Sequence, residues 1–129
     1  MKETFRTKLR GFLGTDHTKK ILDQNIETQS MLLLQGLMPA NSYLPYTIWG
    51  MLPRTIVHIL NDIVVNKRIN IIEFGSGMST YFIAKLIQTN GLDIKFISVD
   101  SNIDWINHQR STLEKEGLTS VELIHAPLK

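Results

Sequence analysis

The most constraining feature of the sequence is a short apolar run that meets a pair of glycines and then a helical pattern. Residues 69–74 are largely β-branched and apolar, which predicts a strand buried on both faces. Gly75-Ser76-Gly77 follows at once, and residues 78–89 carry apolar side chains at helical spacing before Asn90-Gly91 stops the pattern. A strand that turns through glycines into a helix predicts a β-α unit.

The same alternation continues to the end of the chain. Residues 95–100 and 121–125 predict a second and a third strand. Between them, Ser101 lies three residues before Asp104, which predicts a capping-box start for a helix that ends at Gly117. Its Glu114 and Glu116 are expected to be solvated helix charges. Residues 69–129 are therefore expected to form a β-α-β-α-β unit, a parallel sheet with right-handed crossovers.

The first half of the chain predicts helices and one ordered loop. Residues 16–38 have apolar residues near a 3.6 period, and Pro39 stops the pattern. Residues 39–53 hold three prolines and predict a loop, whereas Pro53 suits the first position of a helix that runs to about Asn66. We therefore divide the chain into a helical lead-in, residues 1–68, and a unit formed by residues 69–129.

The charge of the chain is concentrated at its start. The whole chain carries 14 Lys and Arg against 12 Asp and Glu, yet residues 1–68 hold nine of the bases and five of the acids. Phe5, Leu9, Phe12 and Leu13 recur at helical spacing among the bases. Two readings are open: a basic amphipathic helix that contacts a membrane surface or nucleic acid, or a solvated terminal helix with one docked face, interrupted by glycines.

The glycine turn has the features of a nucleotide site. Gly75 and Gly77 allow unusual backbone angles and the close approach of a ligand, and the helix start behind them offers free N–H groups to an anion. Asp100 ends the second strand, where a carboxylate can accept hydrogen bonds from both hydroxyls of a ribose. Together they predict a ligand with a ribose and a polar tail.

The order of residues in this turn separates two cofactor classes. A nicotinamide dinucleotide site has a third glycine where this chain has Thr80, so an NAD(P)-type site remains only a weaker alternative. The string from Glu73 to Thr80, Glu-Phe-Gly-Ser-Gly-Met-Ser-Thr, followed by Asp100, resembles class I S-adenosylmethionine (SAM)-dependent methyltransferases. This resemblance covers residues 69–125.

The resemblance implies SAM as the cofactor, methyl transfer to an unidentified acceptor as the reaction, and a role for each matching residue. Gly75, Ser76 and Gly77 would pass the methionyl part of SAM, and Glu73 would orient the turn or meet the ammonium through water. Asp100 would bind the ribose, with Ser101 and Asn102 beside the adenine. Ser79 and Thr80 would touch the SAM carboxylate. Tyr46 and Trp49 are candidates for a lid, although core packing is the alternative for both.

The resemblance also implies a Rossmann-like, three-layer α/β fold with strand order 3-2-1, preceded by helices and incomplete against the seven strands of the family. The first strand would then be an apolar edge, through which we expect self-association. The chain is truncated, or a partner supplies the missing half, or the N-terminal helices cover the edge. A non-catalytic Rossmann-like remnant or interaction module is therefore an alternative function.

The remaining residues exclude several other classes of site. The absence of cysteine excludes disulfides and thiolate chemistry. The four histidines are scattered singly, without metal-ligand spacing, so no metal site is expected. No apolar run is long enough for a signal peptide or a membrane span, and a cytoplasmic protein is expected.

Overall fold

The computed structural model describes residues 5–46 and 50–129 as an α/β unit of four helices and a three-stranded parallel sheet. The predicted parallel β-α-β-α-β unit is confirmed in the second half of the chain. In chain order, the elements are α1 (Phe5–Leu34), a 3-10 turn (Gln35–Leu37), α2 (Pro53–Val65), β1 (Asn70–Phe74), α3 (Met78–Thr89), β2 (Lys95–Asp100), α4 (Ile103–Lys115) and β3 (Val121–His125).

The sheet has the order β1-β2-β3, with β2 in the middle. Phe74 is in register with Val99, and Asp100 is in register with His125. The carboxyl ends of all three strands therefore lie along one edge of the sheet, and this edge carries the glycine turn. In parallel α/β sheets, that edge is where ligands bind.

One hydrophobic core joins the two halves of the chain. It is a single cluster of buried side chains from all four helices and the middle strand, for example Leu34 of α1, Leu60 of α2, Phe82 of α3, Phe96 of β2 and Leu113 of α4. Leu123 of β3 packs against the same cluster. The helical lead-in thus shares its core with the sheet unit.

The prediction that the first strand is buried on both faces is wrong. In β1, Ile71 and Glu73 point towards the core, whereas Ile72 is 59% and Phe74 is 79% exposed. The described helices pack on one face of the sheet and leave the opposite face in contact with solvent. The described residues therefore form two layers, not the three that were expected.

The edge of β1 remains open, because β1 pairs with β2 alone within residues 5–46 and 50–129. We expect the chain to self-associate through this edge as its concentration rises, since an exposed apolar edge strand is a template for pairing. Light scattering measures the apparent mass. Ile72→Lys should keep the chain monomeric, whereas Val65→Lys, at an exposed site on α2, should not. A wild-type chain that stays monomeric at millimolar concentration would contradict this expectation.

Two helix boundaries also differ from prediction. α1 is one continuous helix that passes through Gly11 and Gly14 and ends at Leu34, four residues before the expected end. The chain then tightens into the 3-10 turn, and Met38 is extended because it precedes Pro39. α4 is capped by Asn102, whose side chain accepts a hydrogen bond from the Trp105 N–H, and not by Ser101.

Candidate functional site

The glycine turn is held against the end of β2 by its own backbone. The Gly75 N–H donates to the Val99 carbonyl at 2.7 Å. Gly75 has a φ of +91°, a conformation that side chains disfavour, so a glycine is required here. Gly77 is different, because its φ of −175° is extended and a Cβ there would meet nothing within 4 Å. The folded chain alone therefore gives no reason for a glycine at position 77.

Glu73 lies beneath the turn and fixes it to the helix and to the neighbouring strand. Its carboxylate accepts hydrogen bonds from the hydroxyls of Ser79, of Thr80 at 2.5 Å and of Ser98 at 2.8 Å. Thr80 and Ser98 are fully buried. Of the two roles expected for Glu73, this geometry matches that of orienting the turn.

The helix start offers its backbone, and not its hydroxyls, to a ligand. The Ser79 and Thr80 hydroxyls were expected at a ligand carboxylate, but they donate to Glu73 instead. The first backbone hydrogen bond of α3 runs from the Tyr81 N–H to the Gly77 carbonyl at 3.4 Å. The N–H groups of residues 78–80 precede that ladder, so they are the groups that can meet an anion.

Asp100 faces the turn directly. One carboxylate oxygen accepts from the Ser76 N–H at 2.8 Å and from the Ser76 hydroxyl at 3.2 Å, and the other accepts from the Asn102 N–H at 2.8 Å. A carboxylate has about four acceptor positions. One position is therefore open, and rotation of the Ser76 hydroxyl would free another. Asp100 can thus accept a pair of ligand hydroxyls without losing its backbone contacts.

Ser101 and Asn102 follow Asp100 at the surface, and both are exposed. The Ser101 carbonyl is 3.1 Å from Nε2 of His125. The Asn102 side chain is used in capping α4. Both residues lie next to Asp100, as expected. No contact of either side chain, however, indicates that it belongs to a ligand site.

A small cavity of about 150 Å³ opens on the turn, and it is lined by Pro45, Tyr46, Gly50, Ser76, Gly77, Met78 and Trp105. Pockets for whole small-molecule ligands are typically about 300–1,000 Å³, so this cavity has room for only part of such a ligand. Tyr46, a predicted lid residue, lines this cavity together with Ser76 and Gly77 and is 53% exposed. Trp49, the other, lies outside the described residues.

Trp105 lines the cavity, but it was not predicted as a site residue from the sequence. Its indole N–H donates to the Ser76 carbonyl at 2.5 Å, and its ring stacks on His108 with centroids 5.2 Å apart. The periodicity of α4 indicated only an apolar residue at this position. The short distance in sequence between Asp100 and Trp105 could have indicated this position. Trp105 lies in the first helical turn after Asp100 and therefore at the carboxyl edge of the sheet.

Glu116 is a second missed residue, and the expectation of a solvated charge is wrong. It is 9% exposed, and its carboxylate accepts from the Ala40 N–H, the Asn41 N–H and the Ser42 hydroxyl at 3.1, 2.7 and 2.9 Å. It thereby ties the loop that leads to Tyr46 to the end of α4. Burial raises the pKa of Glu116, but these hydrogen bonds outweigh it, so that its pKa lies below the usual value.

This lowered pKa predicts that the contacts of Glu116 with residues 40–42 stabilise the fold less at acid pH. The folded state binds the Glu116 proton less tightly than the unfolded state does, so the ionised carboxylate stabilises the fold. This contribution to the free energy of unfolding is complete above the unfolded pKa of 4.5 and is lost as pH falls through the lower folded pKa. We expect Glu116→Gln to reduce the free energy of unfolding by about 1–2 kcal/mol near neutral pH. The difference from wild type should shrink towards about pH 3, as measured by urea unfolding. Glu114→Gln, at an exposed neighbour, is the control; a constant difference across this range would contradict the assignment.

The described residues contain no group of three or more histidine, aspartate or glutamate side chains placed to hold a metal ion. In the same part of the chain, no helix combines the length and the apolar character that a membrane crossing requires. Comparison of the chain with protein-family models, with curated proteins and with solved structures gives no match.

Proposed function

We propose that the chain binds SAM at the glycine turn and serves as the cofactor-binding part of a SAM-dependent methyltransferase. The observation that carries this proposal is the pairing of the turn with Asp100. The backbone of Ser76 and the carboxylate of Asp100 are in direct contact, and the cavity opens beside them. Because Ser76 both lines the cavity and donates to Asp100, a ligand that follows the turn would pass close to a ribose-type acceptor.

The methionyl part and the ribose of the cofactor each have a matching group in this proposal. The methionyl part lies along Gly75 and Gly77, with its carboxylate at the N–H groups that begin α3. The ribose hydroxyls donate to Asp100. Tyr46 and Trp105 supply apolar ring surface beside the turn.

The strand order supports the same family of folds. In this proposal, the order β1-β2-β3 corresponds to the 3-2-1 half of a Rossmann-like sheet. Thr80 argues against the dinucleotide alternative, because its side chain is fully buried and bonded to Glu73 at the position where a dinucleotide site has a glycine.

The chemical step would be an in-line displacement. A nucleophilic acceptor attacks the methyl carbon of the sulfonium, the carbon–sulfur bond breaks, and S-adenosylhomocysteine (SAH) leaves. Holding the donor in near-attack geometry supplies much of the acceleration. Of the residues that line the cavity, only Tyr46 is titratable. This lining favours the second candidate, a non-catalytic module that binds without turnover.

Isothermal titration calorimetry with SAH tests the binding. We expect heat from SAH and no heat from NADH, because the turn lacks the third glycine. Absence of SAH binding by folded protein would overturn the proposal. Transfer of labelled methyl groups from SAM into lysate by this chain alone would exclude the non-catalytic candidate.

A further inference from the structure

The three backbone N–H groups of the glycine turn are all bonded within the chain. The Gly75 N–H donates to a carbonyl of β2 at 2.7 Å, and the Ser76 N–H donates to the Asp100 carboxylate at 2.8 Å. The Gly77 N–H donates to Oγ1 of Thr80, also at 2.8 Å. Glycine loops that bind phosphate do so with free N–H groups. Residues 75–77 have no such group to offer.

Glu73 fixes the direction of the bond between Thr80 and Gly77. A hydroxyl has one proton to donate, and the Thr80 hydroxyl donates it to the Glu73 carboxylate at 2.5 Å. The remaining lone pairs of Thr80 Oγ1 can only accept, and one of them accepts the Gly77 N–H. Gly77 is half-buried and lines the cavity, so without Thr80 its N–H would be available to a ligand.

The charges around the turn also disfavour a phosphate. Two carboxylates belong to its bonding network: Asp100 is bonded to Ser76, and Glu73 is bonded to the hydroxyl that accepts the Gly77 N–H. None of the described residues that line the cavity is Lys, Arg or His. Because like charges repel and no cation compensates, a phosphate at the turn would be bound less well than an uncharged group.

We infer that Thr80 is a specificity-determining residue: by accepting the Gly77 N–H, its hydroxyl closes the turn to phosphate, so that the site selects nucleosides over 5′-nucleotides. This inference rests on the proposed binding of a nucleoside at the turn. In that binding mode, a phosphate attached directly to the ribose lies at the turn and finds no donor there. The longer tail of SAH carries its carboxylate past the turn to the N–H groups that begin α3.

Calorimetry with three adenosine derivatives that differ only in the 5′ substituent tests this inference on the full chain. The probes are SAH, uncharged 5′-methylthioadenosine (MTA) and adenosine 5′-monophosphate (AMP). We expect wild type to bind SAH and MTA, and to bind AMP about tenfold or more weakly than MTA, because the phosphate loses water without gaining a donor. Thr80→Val frees the Gly77 N–H, so AMP should gain about tenfold in affinity relative to MTA.

Two further variants separate the bond to Gly77 from a general effect on the hydroxyl network. Ser98→Ala removes another fully buried hydroxyl that donates to the same oxygen of Glu73, but Ser98 has no bond to the turn. It should leave the ratio of AMP to MTA affinity at the wild-type value. Thr80→Ser keeps the hydroxyl and should also keep this ratio. Circular dichroism verifies that each variant remains folded.

The ratio of AMP to MTA affinity in wild type is a test that depends on no variant. If wild type binds AMP as tightly as MTA, or if Thr80→Val and Ser98→Ala change the ratio equally, the inference is overturned while the proposed cofactor site stands. If folded wild type binds neither SAH nor MTA, the proposed function fails, and this inference fails with it.

Discussion

Replacing Glu73 by alanine is expected to lower the free energy of unfolding by about 3 kcal/mol. The carboxylate is the shared acceptor of three hydroxyls, and two of these, on Thr80 and Ser98, are fully buried. A buried donor that loses its acceptor costs about 1–3 kcal/mol. Because small domains are stable by only about 5–15 kcal/mol, urea unfolding should resolve this loss clearly.

Two further variants separate the network from a general effect of removing a glutamate. Glu73→Gln keeps one acceptor oxygen, so it should cost less than the alanine variant. Glu122→Ala, an exposed strand glutamate on β3, should change stability by no more than about 0.5 kcal/mol. Equal losses at positions 73 and 122 would show that the hydroxyl network does not stabilise the turn.

Asp100→Asn is expected to weaken SAH binding about ten- to a hundredfold. The substitution removes the charge that would accept the ribose hydroxyls, and hydrogen bonds to a charged group contribute about 1.5–3 kcal/mol. Asp93→Asn, at an exposed position just before β2, is the matched control and should bind like wild type. Both affinities are measured by calorimetry. Identical SAH affinities for the two variants would show that Asp100 does not bind the ligand.

Gly77→Ala provides a variant that leaves Asp100 intact. The extended backbone at Gly77 accepts a side chain, and a Cβ would meet nothing within 4 Å, so the folded chain should keep its stability. Because Gly77 lines the cavity, the added methyl group would occupy space that the ligand needs. Overfilling a packed site costs about 1–3 kcal/mol, so SAH affinity should fall about tenfold or more. Unchanged affinity would show that the ligand does not pass the turn.

Local sequence patterns were sufficient for the elements around the turn. β-branched runs predicted β2 and β3 at the bounds that the structure shows, and Gly75 was expected at a turn that requires a positive φ. The contact between Ser76 and Asp100 follows from the register of parallel strands, since their carboxyl ends meet at one edge.

Non-local contacts account for most of what the sequence did not predict. The exposure of Ile72 and Phe74 depends on which sheet face the helices cover, and an apolar strand looks the same in either case. Glu116 becomes buried because it binds residues 40–42, more than 70 positions away. Gly11 costs helix stability locally, yet α1 continues through it.

The most direct test of the central claim is an amide NMR titration of the ¹⁵N-labelled chain with SAH. The proposed site predicts the largest shift changes at Gly75, Ser76 and Gly77 and at the amides next to Asp100, with a further change at the indole N–H of Trp105. Amides at the opposite end of the sheet, such as Lys95, should not move. Saturable shifts confined to another surface, or no shifts from folded protein, would contradict the account.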